Sequence, residues 1–120
     1  MDKHSILVVD DQPSVCQSVA AILKGTYKVF PFTSGKDALD YLAENQVSLV
    51  LLDYEMPGMT GYEVLLSIRT NRSTKDTPVV FLTAETNERM KQEMIGRGAN
   101  DYLTKPIVPG DLQACIKKYL

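Results

Sequence analysis

Short apolar runs rich in valine, isoleucine and leucine recur along this chain, and each stops at residues able to do phosphate chemistry. Ile6 to Val9 closes on Asp10 and Asp11, Leu49 to Leu52 on Asp53, Val79 to Leu82 on Thr83, and Tyr102 to Leu103 on Thr104, Lys105 and Pro106. Runs this short and this apolar fit strands covered on both faces, as in a parallel sheet. The C-terminal ends of such strands share one edge, and open α/β sheets bind their ligands at that edge.

The segments between the runs carry helix signals. Pro13 stands where the first helical residue belongs, and Ser14 to Leu23 repeat apolar positions at helical spacing until Gly25. Tyr27 to Phe32 reads as a strand at the sheet edge, since Pro31 cannot donate to a central ladder. Ser34 caps a helix through Glu44, a glycine and proline turn spans Met56 to Gly61, and helices follow over Tyr62 to Thr70, Asn87 to Ile95 and Gly110 to Tyr119. Asp101 to Leu103 makes a short last strand. Five βα units with right-handed crossovers predict an α/β fold: a doubly wound five-stranded parallel sheet in the flavodoxin-like order 2-1-3-4-5, with helices on both faces. In that order the first and third strands flank the switch point, so Asp10, Asp11 and Asp53 share its crevice.

The 120 residues suit one domain, spanning 1–120, with a full core and no repeat or linker. A net charge of -2 gives no general attraction for nucleic acid or for an anionic membrane. The first residues, Met-Asp-Lys-His-Ser, hold no apolar signal core, and the apolar stretch Val47 to Leu52 is far short of the ~20 residues that span a bilayer. A cytoplasmic location is expected. Cys16 and Cys115 each lie at helical spacing with apolar residues and are expected to be small buried hydrophobes. His4 has no metal-ligand spacing around it.

Three carboxylates within a few ångströms repel one another, and a bound hard cation removes the conflict. Magnesium prefers oxygen ligands and is commonly held by one or two carboxylates together with a phosphate oxygen. Lys105 supplies a point charge for phosphate and Thr83 a hydroxyl. The Lys105-Pro106 bond is a candidate cis peptide that would aim the lysine into the crevice. Taken singly, an aspartate after a strand is often a helix cap, and Thr83 or Lys105 often a strand-end or surface residue. Their convergence is what points to a phosphorylated carboxylate.

These residues resemble the receiver domains of bacterial two-component response regulators, of which the chemotaxis regulator is the single-domain example. The likeness runs from Ile6-Leu-Val-Val-Asp-Asp11 through Leu49-Val-Leu-Leu-Asp-Tyr-Glu-Met-Pro-Gly-Met-Thr-Gly61 and Val79-Val-Phe-Leu-Thr-Ala84 to Gly98-Ala-Asn-Asp-Tyr-Leu-Thr-Lys-Pro106. It implies that Asp53 is the phosphoacceptor and that Asp10, Asp11 and Asp53, with the Glu55 carbonyl, hold magnesium, or manganese in its place. It also implies that Thr83 and Lys105 bind phosphoryl oxygens, that Ala84 leaves room for them, and that Tyr102 is an aromatic switch. Ile107 stands where the family often has phenylalanine, and Met94 is bulkier than the family's frequent small residue; both are expected to bear on partner identity.

The resemblance implies a phosphorylation-dependent signalling switch, loaded by a histidine kinase or phosphotransfer protein, that dephosphorylates itself and turns over no external substrate. A downstream output protein or output domain is the implied partner, through the face of the fourth helix, last strand and last helix, where Arg89, Lys91, Tyr102 and Ile107 are expected contributors. Phosphorylation-dependent homodimerisation is an alternative there, with no direct nucleic-acid binding by this domain and no membrane contact. Glu55 and Glu85, each two residues past a site residue, either orient the water that removes the phosphoryl group or are solvated charges. A dehalogenase-type phosphatase would need Asp-x-Asp after its first strand, and a flavin module a phosphate-cradling first turn instead of acids. A receiver acting only as an interaction module would not need every reactive position that this chain keeps.

Overall fold

The computed structural model describes residues 4–84 and 87–120. Ten elements alternate along them: β1 (Ser5–Val9), α1 (Pro13–Leu23), β2 (Lys28–Phe32), α2 (Gly35–Leu42), β3 (Leu49–Asp53), α3 (Gly61–Thr70), β4 (Val79–Thr83), α4 (Glu88–Gly96), β5 (Asp101–Thr104) and α5 (Pro109–Tyr119). The five strands are all parallel, in the order β2-β1-β3-β4-β5. The expected doubly wound sheet is therefore present, with the proline-bearing β2 at one edge and β5 at the other.

Each central strand is buried on both faces because its side chains alternate between two helical layers. Leu7, Val9, Val50, Leu52, Val79 and Phe81 face one way and pack with Ala38 and Leu42 of α2, Val64, Leu65 and Ile68 of α3, and Met94 of α4. Ile6, Val8, Leu49, Leu51, Val80 and Leu82 face the other way, against Cys16, Val19 and Leu23 of α1 and Leu112, Cys115 and Ile116 of α5. Both cysteines are free and buried, as their spacing predicts. Met94 is fully buried in the α2–α4 layer and fills core volume there.

Element ends are set by local hydrogen bonding. Ser34 caps α2 by accepting the Asp37 N–H, but α2 stops at Leu42 instead of Glu44 because the Glu44 N–H turns back to the Tyr41 carbonyl. α3 starts one residue earlier than the sequence predicts, at Gly61, behind a capping box in which Thr60 and Glu63 satisfy each other's backbone N–H. β3 and β4 each run one residue further, through Asp53 and Thr83 themselves, since the ladder pairs Asp53 with Leu82 and Thr83 with Thr104. Asp53 and Thr83 thus belong to the sheet's last rungs, held by strand geometry. The sheet edge β5 is half-buried throughout, which explains why its apolar run is the shortest. No helix among the described residues is long and apolar enough to cross a membrane.

Candidate functional site

At the C-terminal ends of β1 and β3 the chain sets Asp10, Asp11 and Asp53, whose carboxylates offer oxygens all within 4.8 Å of one another. Asp10 is fully buried and Asp53 is 3% exposed, whereas Asp11 is half-buried toward the crevice mouth. β1 and β3 are neighbours in the ladder, with Val9 beside Leu52, so consecutive rungs deliver the acids to one spot.

Lys105 reaches this cluster from the end of β5. Its Nζ lies 2.7 Å from Asp10 Oδ2 and 3.1 Å from Asp53 Oδ1, and the Lys105 N–H donates to the Thr83 carbonyl at 2.7 Å. The Lys105–Pro106 peptide is cis, as its sequence allows. Burial alone would lower the Lys105 pKa, but the contacts with Asp10 and Asp53 outweigh it and raise the value, so the ammonium is firmly charged. The same surroundings act oppositely on Asp53. Burial pushes the Asp53 carboxyl up from 3.8 to about 6; the hydrogen bond from Lys105 resists this, while Asp10 and Asp11 add to it.

Two backbone N–H groups complete the acids' surroundings. Gln12 N–H donates to Asp10 Oδ1 at 2.9 Å and Glu55 N–H to Asp53 Oδ1 at 3.4 Å, each two residues past its carboxylate. Side chains of aspartate hold their own backbone in this way at turns. Gln12 was not among the candidates read from sequence, and this two-residue aspartate turn after a strand is the signal that finds it. With Asp11, Asp53, Glu55, Thr83, Ala84 and Lys105 it lines a crevice of about 250 Å³. Thr83 is 2% exposed at its floor, Ala84 is exposed at its edge, and Glu55 is exposed at its rim. Glu85 lies outside the described residues.

The donor set suits a hard divalent cation. All three groups are carboxylates, and one lysine cannot neutralise them. The buried Asp10 Oδ2 meets the Lys105 ammonium as a charge, outside a hydrogen-bonding direction, and so keeps a lone pair to offer. Oxygen-rich, partly open sites of this kind match magnesium.

Tyr102 stands apart from the acids, half-buried on β5 beside Phe81 of β4, with Lys91 Nζ of α4 over its ring at 4.8 Å. Arg89 of the expected output face is exposed, and Lys91 and Ile107 are half-buried. Sequence reading missed an aromatic group that begins at Tyr54, the residue after Asp53. Tyr54, Tyr62 and Phe81 meet edge to face, with centroids 5.1 to 5.8 Å apart, and the Tyr54 hydroxyl donates to Met90 Sδ at 3.0 Å.

Residues 6–117 match the family of the response regulator receiver domain. The chain is 42% identical over 107 residues to a probable cyclic di-GMP phosphodiesterase of Vibrio cholerae, covering 89% of this chain and 24% of that protein. It is 34% identical to the transcriptional regulatory protein YvrH of Bacillus subtilis, over 100% of this chain and 50% of that one. The chain thus spans half or less of these curated relatives' lengths, and their named activities belong to those longer proteins. Among solved structures, the chemotaxis response regulator CheY4 of Vibrio cholerae superposes with a TM-score of 0.92 at 33% identity, covering 98% of this chain and 99% of that one.

Proposed function

The chain belongs to the response regulator receiver domain family of two-component systems, and from that premise we propose that it is a switch whose Asp53 carries the phosphoryl group. The observation that carries this reading is the position of Asp53: buried on the last rung of β3, with Lys105 Nζ at 3.1 Å and two further carboxylates around it. The donor of the phosphoryl group is a histidine kinase or phosphotransfer protein.

An Asp53 carboxylate oxygen attacks phosphorus of the donor phosphohistidine, forming an O–P bond as the P–N bond breaks, and the departing imidazole takes a proton from solvent. Asp10, Asp11, Asp53 and the Glu55 carbonyl hold magnesium, or manganese in its place, which when bound offsets the negative charge of the acids and of the incoming phosphoryl oxygens. Lys105 already bridges Asp10 and Asp53; as Asp53 becomes the acyl phosphate, its ammonium transfers to the new phosphoryl oxygens without leaving the crevice. The Thr83 hydroxyl at the crevice floor donates to another of them, and the small Ala84 side chain leaves the phosphoryl group room. Hydrolysis reverses the modification: water attacks phosphorus, the O–P bond breaks, and inorganic phosphate leaves. Exposed on the rim, Glu55 stands where that water enters.

The signal leaves through α4, β5 and α5. Thr83 drawn toward the phosphoryl group makes space beside β4, Tyr102 turns inward into it, and the surface around Lys91, Arg89 and Ile107 changes for an output protein, an output domain or a second copy of this chain. The domain acts in the cytoplasm, turns over no external substrate and binds neither nucleic acid nor membrane itself.

Acetyl phosphate as donor tests the chemistry without the kinase. Intact mass is expected to rise by one phosphoryl group with magnesium present, and to stay unchanged with chelator. Asp11→Ala is expected to weaken metal binding more than Asp10→Ala, because Asp11 lies toward the crevice mouth while Lys105 already offsets part of the Asp10 charge. Equal loading with and without chelator would contradict the reading.

A further inference from the structure

The C-terminal end of helix α4 runs into a charged hydrogen-bond knot. At the C-terminal end the guanidinium of Arg69 on α3 donates to the Gly98 carbonyl at 3.0 Å, the Thr77 carbonyl at 2.7 Å, the Lys75 carbonyl at 3.1 Å and Asn100 Oδ1 at 2.9 Å. Asn100 Oδ1 also accepts the Val79 N–H at 2.9 Å, which ties this knot to the start of β4. Arg97 lies over the Tyr62 ring at 4.4 Å, and Met94 is fully buried. Hydrogen bonds from a charged donor are about twice as strong as neutral ones, so this end is anchored.

From Glu88 to Lys91, the described contacts are not charged hydrogen bonds of this kind. Glu88 and Arg89 are exposed, and Met90 and Lys91 are half-buried. Lys91 touches the Tyr102 ring, and Met90 accepts the Tyr54 hydroxyl through a thioether, which is a weak acceptor. Tyr54 itself is fixed. It follows Asp53 directly, its N–H donates to the Leu82 carbonyl at 2.9 Å, and its own carbonyl accepts the Gly61 N–H at 3.2 Å. Its ring is wedged edge-on between Tyr62 and Phe81. A residue rigidly joined to the acceptor strand therefore reaches across to α4 with a single weak bond.

We propose that the Tyr54–Met90 hydrogen bond is a catch that holds α4 in its resting position, and that α4 swings about its Arg69-anchored end when the catch opens. Tyr54 is then a positioning residue of the switch and takes no part in the transfer chemistry. The proposal rests on the switch reading above and adds the pivot and the contact that sets the resting ratio of the two states. A contact made only in the resting state lowers the population of the other state. By linkage it weakens every ligand that prefers that other state, by the same factor.

Tyr54→Phe removes the donor and keeps the ring; Met90→Leu removes the acceptor and keeps the volume. Beryllofluoride, a phosphoryl mimic, is titrated with magnesium into wild type and variants while the amide resonances of Glu88 to Gly96 are followed by nuclear magnetic resonance. In both variants the ligand-free resonances are expected to move toward their loaded positions. The half-saturating concentration should fall about twofold, the factor set by a net hydrogen bond at the weak end of the ordinary range. The double variant should go no further than either single one. A merely structural loss would weaken binding, so unchanged or raised half-saturation, or additive effects, overturns the catch. If wild-type α4 is silent while the amides around Asp53 respond, both the catch and the output route fall, and the acceptor assignment stands. No response at Asp53 overturns the functional reading itself.

Discussion

Asp53 is asked to be both buried and charged. In the folded chain its pKa is about 6, against an ordinary value of 3.8. Between those values the folded state binds more protons than the unfolded one, so stability declines as pH rises through that window. Below it both states are protonated and the carboxyl costs nothing; above it the full cost is present. Without metal, Asp53→Asn is therefore expected to stabilise the domain by about 1–2 kcal/mol near neutral pH, after allowance for solvent screening at the crevice. The gain should fade toward zero near pH 4. Thermal melts of both proteins in chelator across this range check it, and a gain independent of pH would contradict the raised pKa. Lys105 keeps Asp10 as a partner in the variant, so its charge is not orphaned.

Among the glycines, a Cβ would meet the least room at Gly61, where α3 starts against the end of β3. A Cβ on Gly61 would come within 2.5 Å of the Asp53 carbonyl oxygen and 2.9 Å of the Tyr54 carbonyl oxygen, both of them backbone atoms that cannot step aside. Gly61→Ala is thus expected to lower unfolding free energy by about 1–3 kcal/mol in urea denaturation, by displacing α3 from β3. Wild-type stability would mean that the helix start yields freely. Nearly every element could be read from sequence, because apolar runs and capping residues are local signals: Ser34, Pro13 and the runs themselves mark their own boundaries. The reading slipped where a tertiary contact decides. β3 and β4 gain Asp53 and Thr83 through pairing with their neighbours.

Across the whole molecule, the acids and the lysine were legible because parallel topology carries every strand end to one edge, whatever the loops do. The contacts that hold α4 were not. Tyr54 to Met90 and Arg69 to Gly98 pair residues 36 and 29 positions apart, and each depends on how helices cross the sheet, which no local pattern encodes. Sequence therefore exposes the chemistry more readily than the coupling. The central claim is that Asp53, and no other group, carries the phosphoryl group. Loading the protein with acetyl phosphate and magnesium, reducing it with borohydride and sequencing its peptides by mass spectrometry tests that claim directly, since borohydride converts an acyl phosphate to the alcohol. Conversion of residue 53 to homoserine, absent without the donor, is the predicted result. Reduction at Asp10 or Asp11 instead, or a stable phosphate on a hydroxyl side chain with residue 53 unchanged, would contradict it.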